Sequence, residues 1–281
     1  MQLNCKSKLL NLSHPQVMGV LNVTPDSFSD GGRFYDVSNA LRQAEQMVAE
    51  GATIVDVGGE STRPGADIVS QQEELDRVLP VIEAIVREFP VVVSIDTYKA
   101  EVMREAVACG AGIINDVNAL RGDGALSVAA QADVPVCLMH MQGQPKTMQE
   151  NPQYENVVDS VMSFFGQRIA DCEAVGISKE NIILDPGFGF GKALQHNLHL
   201  MNSLEQFKQL GCSILVGVSR KSMIGTVLDK PVEQRLYGSI ALASLAVWLG
   251  AKIIRAHDVA ATMDAIQMID AVRLADESDY K

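Results

Sequence analysis

The chain has 281 residues, 47% of them hydrophobic and 21% charged, with a formal net charge of −12. That composition is ordinary for a globular protein and sufficient for a large core in one or two domains. The acidic balance argues against nucleic acid or an anionic membrane as partner, because phosphate contact needs clustered Lys and Arg. The cysteines Cys5, Cys109, Cys137, Cys172 and Cys212 form no CxxC pair, the usage expected of buried free thiols in a reducing compartment. The first residues, MQLNCKSKLLNLSHP, carry no apolar core of a secretory signal. No apolar run approaches the roughly 20 residues of a bilayer span. The expected location is the cytosol.

In chain order, Val17–Val23 reads as the first buried strand, ending at Asn22. A long loop of turn formers follows, Thr24–Tyr35, and then an amphipathic helix over Ser38–Glu50 that Gly51 stops. The run Ala52–Val57 is short, β-branched and bounded by glycine, which marks a strand; it opens into Glu60-Ser61-Thr62-Arg63-Pro64-Gly65. Ser70-Gln71-Gln72-Glu73 has the spacing of a capping box ahead of the next helix. Strands are then expected at Val91–Ile95, before Asn115-Asp116, at Val134–Met139, Asn181–Leu184, Ser213–Gly217 and Lys252–Ile254. A long helix over Tyr154–Val175 and a last one from about Ala261 lie between and after them.

One unit recurs. Gly51, Gly110 and Gly250 each follow a helical stretch and begin GATIVD, GAGIIND and GAKIIR, with a polar group five residues on: Asp56, Asn115 and Arg255. A helix, a Gly stop, a buried strand and a polar group at its carboxyl end make one unit of a parallel α/β fold. Eight such strands, evenly spaced and free of linkers, predict one (β/α)8 barrel spanning residues 1–281, with an open doubly wound sheet as the alternative.

Asn22, Asp56, Asp96, Asn115, His140, Asp185, Ser219 with Lys221, and Arg255 with His257 all stand where a strand gives out. Any one of them alone reads best as a cap or turn former. A barrel brings all strand carboxyl ends to one mouth, and eight polar endings there point to a site. Carboxylates and amides suit the N–H groups of a flat polar ring. Arg63, Lys221, Arg255 and His257 suit an anion. Gly187–Lys192 fits neither GxxxxGK[ST] nor GxGxxG, and His196-x-x-His199 lacks the zinc spacing of HExxH, so neither carries a site. Phe188 and Phe190 have a core reading as the bland alternative, but set among glycines they are expected to pack on a ligand or a neighbouring loop.

LNVTPDSFSDGG, VDVGGESTRPG, SIDT, INDV, MHMQG, DPGFGFGK, GVSRKSMIG and RAHDV together resemble, in order and spacing, the motifs of the bacterial dihydropteroate synthase family, from about Met18 to Asp258. The resemblance implies a pterin-binding barrel that joins a dihydropterin methyl diphosphate to 4-aminobenzoate, releasing pyrophosphate. It implies that Asp96, Asn115, Asp185 and Lys221 bind the pterin ring. Thr62, Arg63, Arg255, His257 and the Asn22 end would meet the diphosphate, with Mg²⁺ coordinated through Asn22. Phe190, Lys221 and Ser222, with the loops of Phe28 and Pro64, would frame the aminobenzoate. Asp96, Asp185, Lys221 and Arg255 would carry the catalysis, an SN1-like displacement that needs no activating base. The loops Thr24–Tyr35 and Glu60–Val69 are expected to close over the diphosphate. The rivals are a corrinoid methyltransferase working on methyltetrahydrofolate, which has no use for an anion clamp, and a non-catalytic pterin binder. Ile240–Leu249, apolar almost all the way round, predicts a homodimer through the last helices.

Overall fold

The helix–Gly–strand junctions fold alike. At Gly51, Gly110, Gly176 and Gly250 the backbone turns left-handed, with φ of 100°, 112°, 94° and 109°. Beyond each glycine the next N–H reaches back to close the helix: Ala52 to Met47, Ala111 to Ala106, Ile177 to Cys172 and Ala251 to Ala246. This double closure satisfies the last carbonyls and turns the chain toward the next strand, and glycine is the residue that meets the dihedral without strain.

The computed structural model describes residues 2–23, 33–60, 69–143, 148 and 152–275. It opens with an antiparallel hairpin, β1 (Gln2–Cys5) and β2 (Lys8–Asn11), which the sequence analysis did not foresee. Next come β3 (Gln16–Asn22), α1 (Arg33–Ala49), β4 (Ile54–Gly58), α2 (Gln71–Glu88), β5 (Val92–Asp96) and α3 (Ala100–Ala108). The middle holds β6 (Ile113–Asp116), α4 (Ala125–Ala132), β7 (Val136–Met139), α5 (Val157–Ala174), β8 (Ile182–Asp185) and α6 (Leu194–Asn202). The chain ends with β9 (Ser213–Val216), α7 (Ser222–Leu228), α8 (Leu236–Trp248), β10 (Ile253–Ala256) and α9 (Val259–Leu274). Strands β3 to β10 form a closed parallel barrel in sequence order, β10 pairing with β3. The expected (β/α)8 architecture is therefore the observed one, and the doubly wound alternative falls because the sheet has no edge. Helix α1 starts at Arg33, five residues ahead of the expected Ser38. The Ser70 hydroxyl accepts from the Glu73 N–H at 3.2 Å, so the expected cap forms.

The barrel floor explains the hairpin. Met18, Ile54, Val92, Ile113, Cys137, Ile183, Leu215 and Ile253, one from each barrel strand, cluster with Leu3, Cys5, Leu10 and Leu12. The hairpin is thus an apolar plug on the end of the barrel away from the site. Strand side chains alternate faces with period two. Two residues above that apolar layer stand Val20, Asp56, Ser94, Asn115, Met139, Asp185, Gly217 and Arg255. The same alternation that fills the floor with aliphatics therefore lifts a polar layer toward the mouth.

Candidate active site

The polar layer is wired through Arg255. Its Nε donates to Asp56 Oδ2 at 2.6 Å and its Nη2 donates to Asp96 Oδ2 at 2.8 Å. Asn115 Nδ2 donates to the same Asp56 oxygen at 3.1 Å. Gly217, just past the end of β9, lies beside Arg255, where an added Cβ would make ordinary contact at 3.7 Å from Arg255 Cβ. Across the mouth, Asp185 Oδ1 accepts from the Gly187 N–H at 2.8 Å. Lys221 donates to the Phe188 carbonyl, and its ammonium stands 4.7 Å from the Phe190 ring centroid.

Burial sets the electrostatics. Asp96 is pushed up to about 7, by burial first and by Asp56 and other acids, with Arg255 opposing. Burial raises Asp185 as well, against the attraction of Lys221. Lys221 is pushed down to about 8 by burial, which Asp185 only partly offsets. Burial works against the charge on Arg255, but Asp56 and Asp96 outweigh it and hold Arg255 above its ordinary value. Two carboxylate oxygens, Asp56 Oδ1 and Asp96 Oδ1, and the Ser94 hydroxyl are buried with no hydrogen-bond partner among the described residues. Orphaned buried acceptors are rare in folded proteins and mark a place where something else supplies the donors. An apolar wall of Val117, Met139, Met141 and Met148, with Tyr98 and Phe190 against it, borders the same space.

The family of pterin binding enzymes matches residues 18–257. The dihydropteroate synthase of Haemophilus influenzae is 56% identical over 271 residues, covering 96% of this chain and 98% of that one. The Yersinia pestis dihydropteroate synthase, solved as a sulfonamide drug complex, has a TM-score of 0.93 at 51% identity, covering 98% of this chain and 100% of that one. A Xanthomonas albilineans dihydropteroate synthase solved with 4-aminobenzoic acid has a TM-score of 0.92 at 47% identity, covering 98% of this chain and 99% of that one. The chain belongs to the pterin-binding dihydropteroate synthase family.

Membership leaves each residue to be located. Asp96, Asn115, Asp185, Lys221 and Arg255 come together around one mouth. Asn22 ends β3, and an added Cβ on Gly58 would lie 3.8 Å from its Oδ1 and 3.7 Å from Asp96 Oδ2, so both oxygens face the same space. His257 is exposed at the rim, where its backbone N–H donates to the Ser219 hydroxyl at 3.2 Å and its Nδ1 lies 3.1 Å from the same oxygen. Ser222 is exposed at the first turn of α7. Thr62 and Arg63 lie outside the described residues, as do Phe28, Pro64 and most of the two loops expected to close. Phe188 does not face a ligand. It is fully buried in the main core, because the glycine at either side lets the chain dip and seat the ring beneath the loop. Phe190 is half-buried on the apolar wall.

Two cation networks escaped the sequence reading. Lys99 reaches Glu60 at 2.5 Å, the Val69 carbonyl at 2.7 Å and the buried Glu74, so one ammonium holds both stems of the loop that carries Thr62 and Arg63. Lys192 is buried behind the β8 loop. Lys99 has no visible signal, since a Lys one turn from a strand end reads as solvated until its acceptors are placed, and Lys192 ends a run that matches no phosphate loop. Among the described residues no group of three His, Cys, Asp or Glu is placed to hold a metal ion, and no helix is long and apolar enough to cross a membrane.

Proposed function

We propose that the chain acts as a dihydropteroate synthase. It takes (7,8-dihydropterin-6-yl)methyl diphosphate and 4-aminobenzoate and forms 7,8-dihydropteroate and pyrophosphate. The observation that carries this reading is the layer of buried Asp56, Asn115 and Asp185 with half-buried Asp96, Lys221 and Arg255 beside it, in which one oxygen each of Asp56 and Asp96 lacks a donor among the described residues. A pterin ring offers ring and amine N–H donors that suit carboxylates, and ring nitrogen and carbonyl acceptors that suit Asn115 and Lys221. We assign Asp96, Asn115, Asp185 and Lys221 to that edge, and Phe190, Lys221 and Ser222 to the aminobenzoate side. Arg255, ion-paired to Asp56 and Asp96 at the rim of the ring site, His257, Thr62 and Arg63 are assigned to the diphosphate.

The reaction breaks the C–O bond between the pterin methylene and the diphosphate, and the bonding electrons leave with pyrophosphate. The methylene cation left behind is conjugated to the ring, and the carboxylates of Asp96 and Asp185 favour its positive charge. Arg255 and His257 stabilise the charge growing on the departing group. The neutral amine of 4-aminobenzoate then forms the C–N bond and gives its proton to solvent, so no base is needed. A pterin found attached to the protein would contradict this order of events.

Asn22 suits a Mg²⁺ ion. It offers one hard amide oxygen at the mouth, and such ions keep most of their shell as water and substrate phosphate. Bound there with the diphosphate, the ion would neutralise the leaving group as a Lewis acid. We further propose that residues 1–281 act as a single barrel domain in the cytosol and that the protein is a homodimer. Tyr237, Leu245 and Trp248 on α8 and Met268 and Val272 on α9 are exposed apolar side chains on adjoining helices. A monomer by light scattering at micromolar concentration would overturn the dimer. The function itself is tested by pyrophosphate release. Sustained release that requires both substrates and Mg²⁺, with 7,8-dihydropteroate as the other product, is expected; no release, or sustained release at the same rate without 4-aminobenzoate, would refute it.

A further inference from the structure

Gly187–Lys192 matches no phosphate-binding signature, yet it is held at several points. Lys192 is 3% exposed, and its ammonium sits among four acceptors. These are the carbonyl oxygens of Gly187 at 2.9 Å, Phe190 at 3.0 Å and His140 at 3.2 Å, and His140 Nδ1 at 2.9 Å. Burial pushes Lys192 down to about 7, with Asp185 opposing and Lys221 adding to the depression. Burial and the neighbouring Lys192 and Arg121 push His140 down to about 3, so the ring is neutral, and the ammonium donor facing Nδ1 assigns that nitrogen as the acceptor. Among the described residues no carboxylate forms an ion pair with Lys192. A cation buried without a carboxylate partner is costly and persists where its geometry is needed.

The surroundings show what the ammonium holds. Cβ atoms at Gly187 and Gly191 would collide with the carbonyl oxygens of His140 and Gln142, so the two loops touch backbone to backbone. The Tyr154 hydroxyl donates to the Gly191 carbonyl at 2.9 Å, and the Gly189 N–H donates to Asn197 Oδ1 at 2.7 Å. The loop so fixed presents two things to the mouth: the Phe188 carbonyl that receives Lys221, and the Phe190 ring beside that ammonium.

We propose that Lys192 is a positioning residue, its buried ammonium pinning the loop after β8 to the end of β7 and so setting Phe190 and the Phe188 carbonyl that orient Lys221. Which substrate feels its loss rests on the function proposed above. Phe190 is assigned to the aminobenzoate side only, whereas the pterin is also held by Asp96 and Asn115, which stand on other strands and do not touch this loop. Lys192→Met keeps the length and removes the donors. In this variant the KM for 4-aminobenzoate rises about tenfold or more, and that for the pterin diphosphate rises less, about threefold. Amide exchange quickens at residues 187–191 and not across the barrel. Equal rises in the two KM values, or unchanged KM values with only a lowered melting temperature, would overturn the assignment. If Lys192→Met does not fold, Tyr154→Phe loosens the same loop from its exposed side, and an unequal rise of about two- to fivefold for 4-aminobenzoate is expected; no rise would overturn the assignment. An unaltered protein that releases no pyrophosphate would refute the functional reading, and amide exchange at 187–191 would then decide on Lys192 alone. Faster exchange supports the pin; unchanged exchange refutes it.

Discussion

Replacing Arg255 by Met leaves two acids facing each other in the barrel. The Arg255 side chain is 23% exposed, Asp56 0% and Asp96 9%, so both ion pairs are largely removed from water. Breaking a buried pair by deleting one partner costs roughly 3–5 kcal/mol, because the remaining charge has nothing to offset its lost hydration. The cost depends on pH. Asp96 takes a proton near 7 in the folded protein against 3.8 ordinarily, so the folded state binds that proton more tightly than the unfolded chain. Its stabilising contribution is full in acid, below the unfolded value, and fades as pH rises through about 7. Arg255 favours the ionised acid, and its removal lifts Asp96 further. The deficit of Arg255→Met therefore shrinks by about 1.4 kcal/mol for each pH unit over which only the variant keeps the proton. Denaturant unfolding at pH 8 and pH 6 measures it: roughly 3 kcal/mol or more lost at pH 8, and clearly less at pH 6. A loss under about 0.5 kcal/mol at pH 8, or a larger loss at pH 6, would refute the reasoning.

Gly187→Ala combines a left-handed φ of 69° with a collision on the His140 carbonyl, whereas Gly176→Ala has a φ of 94° and open space around it. Gly176→Ala is expected to cost about 1–2 kcal/mol and Gly187→Ala clearly more, by thermal unfolding; equal costs would show that the two loops are not in contact. Lys221 gives up its proton near pH 8 instead of 10.5, so pterin affinity is expected to fall as pH rises above 8. Lys221→Met should bind weakly with no such limb, and a variant with the original pH dependence would assign it to another group. Lys99→Met leaves Glu74, 1% exposed, without its cation. It should cost about 3 kcal/mol at neutral pH by thermal melting, and a neutral outcome would remove Lys99 as the holder of the loop stems.

Much of this was legible because the barrel repeats. Each glycine stop fixes a helix end, each apolar run after it is too short for a helix, and period two then delivers the inward residue at the strand end. Asp56, Asn115 and Arg255 were found that way. What escaped depended on contacts between segments distant in sequence. Nothing in MQLNCKSKLLN distinguishes a floor plug from a surface hairpin until the barrel floor needs covering. The roles of Lys192, which ends a run that fits no phosphate loop, and of Lys99 are not visible in sequence, because their acceptors are carbonyls and acids brought in by other loops. Phe188 was misjudged for a related reason: a phenylalanine between glycines looks unsupported in sequence, yet the glycines are what let it turn inward. Arg255 was expected to be an anion clamp, and its guanidinium lies across Asp56 and Asp96 because the matching acids stand two and three strands away.

The pterin site can be addressed without catalysis. Titration calorimetry with a 7,8-dihydropterin that lacks the diphosphate reads ring recognition alone, in the unaltered protein and in Asp185→Asn. Loss of a charge-assisted contact at the ring edge predicts that binding weakens by about tenfold or more in the variant. Equal affinity for the two proteins would mean that the strand-end acids do not hold the ring.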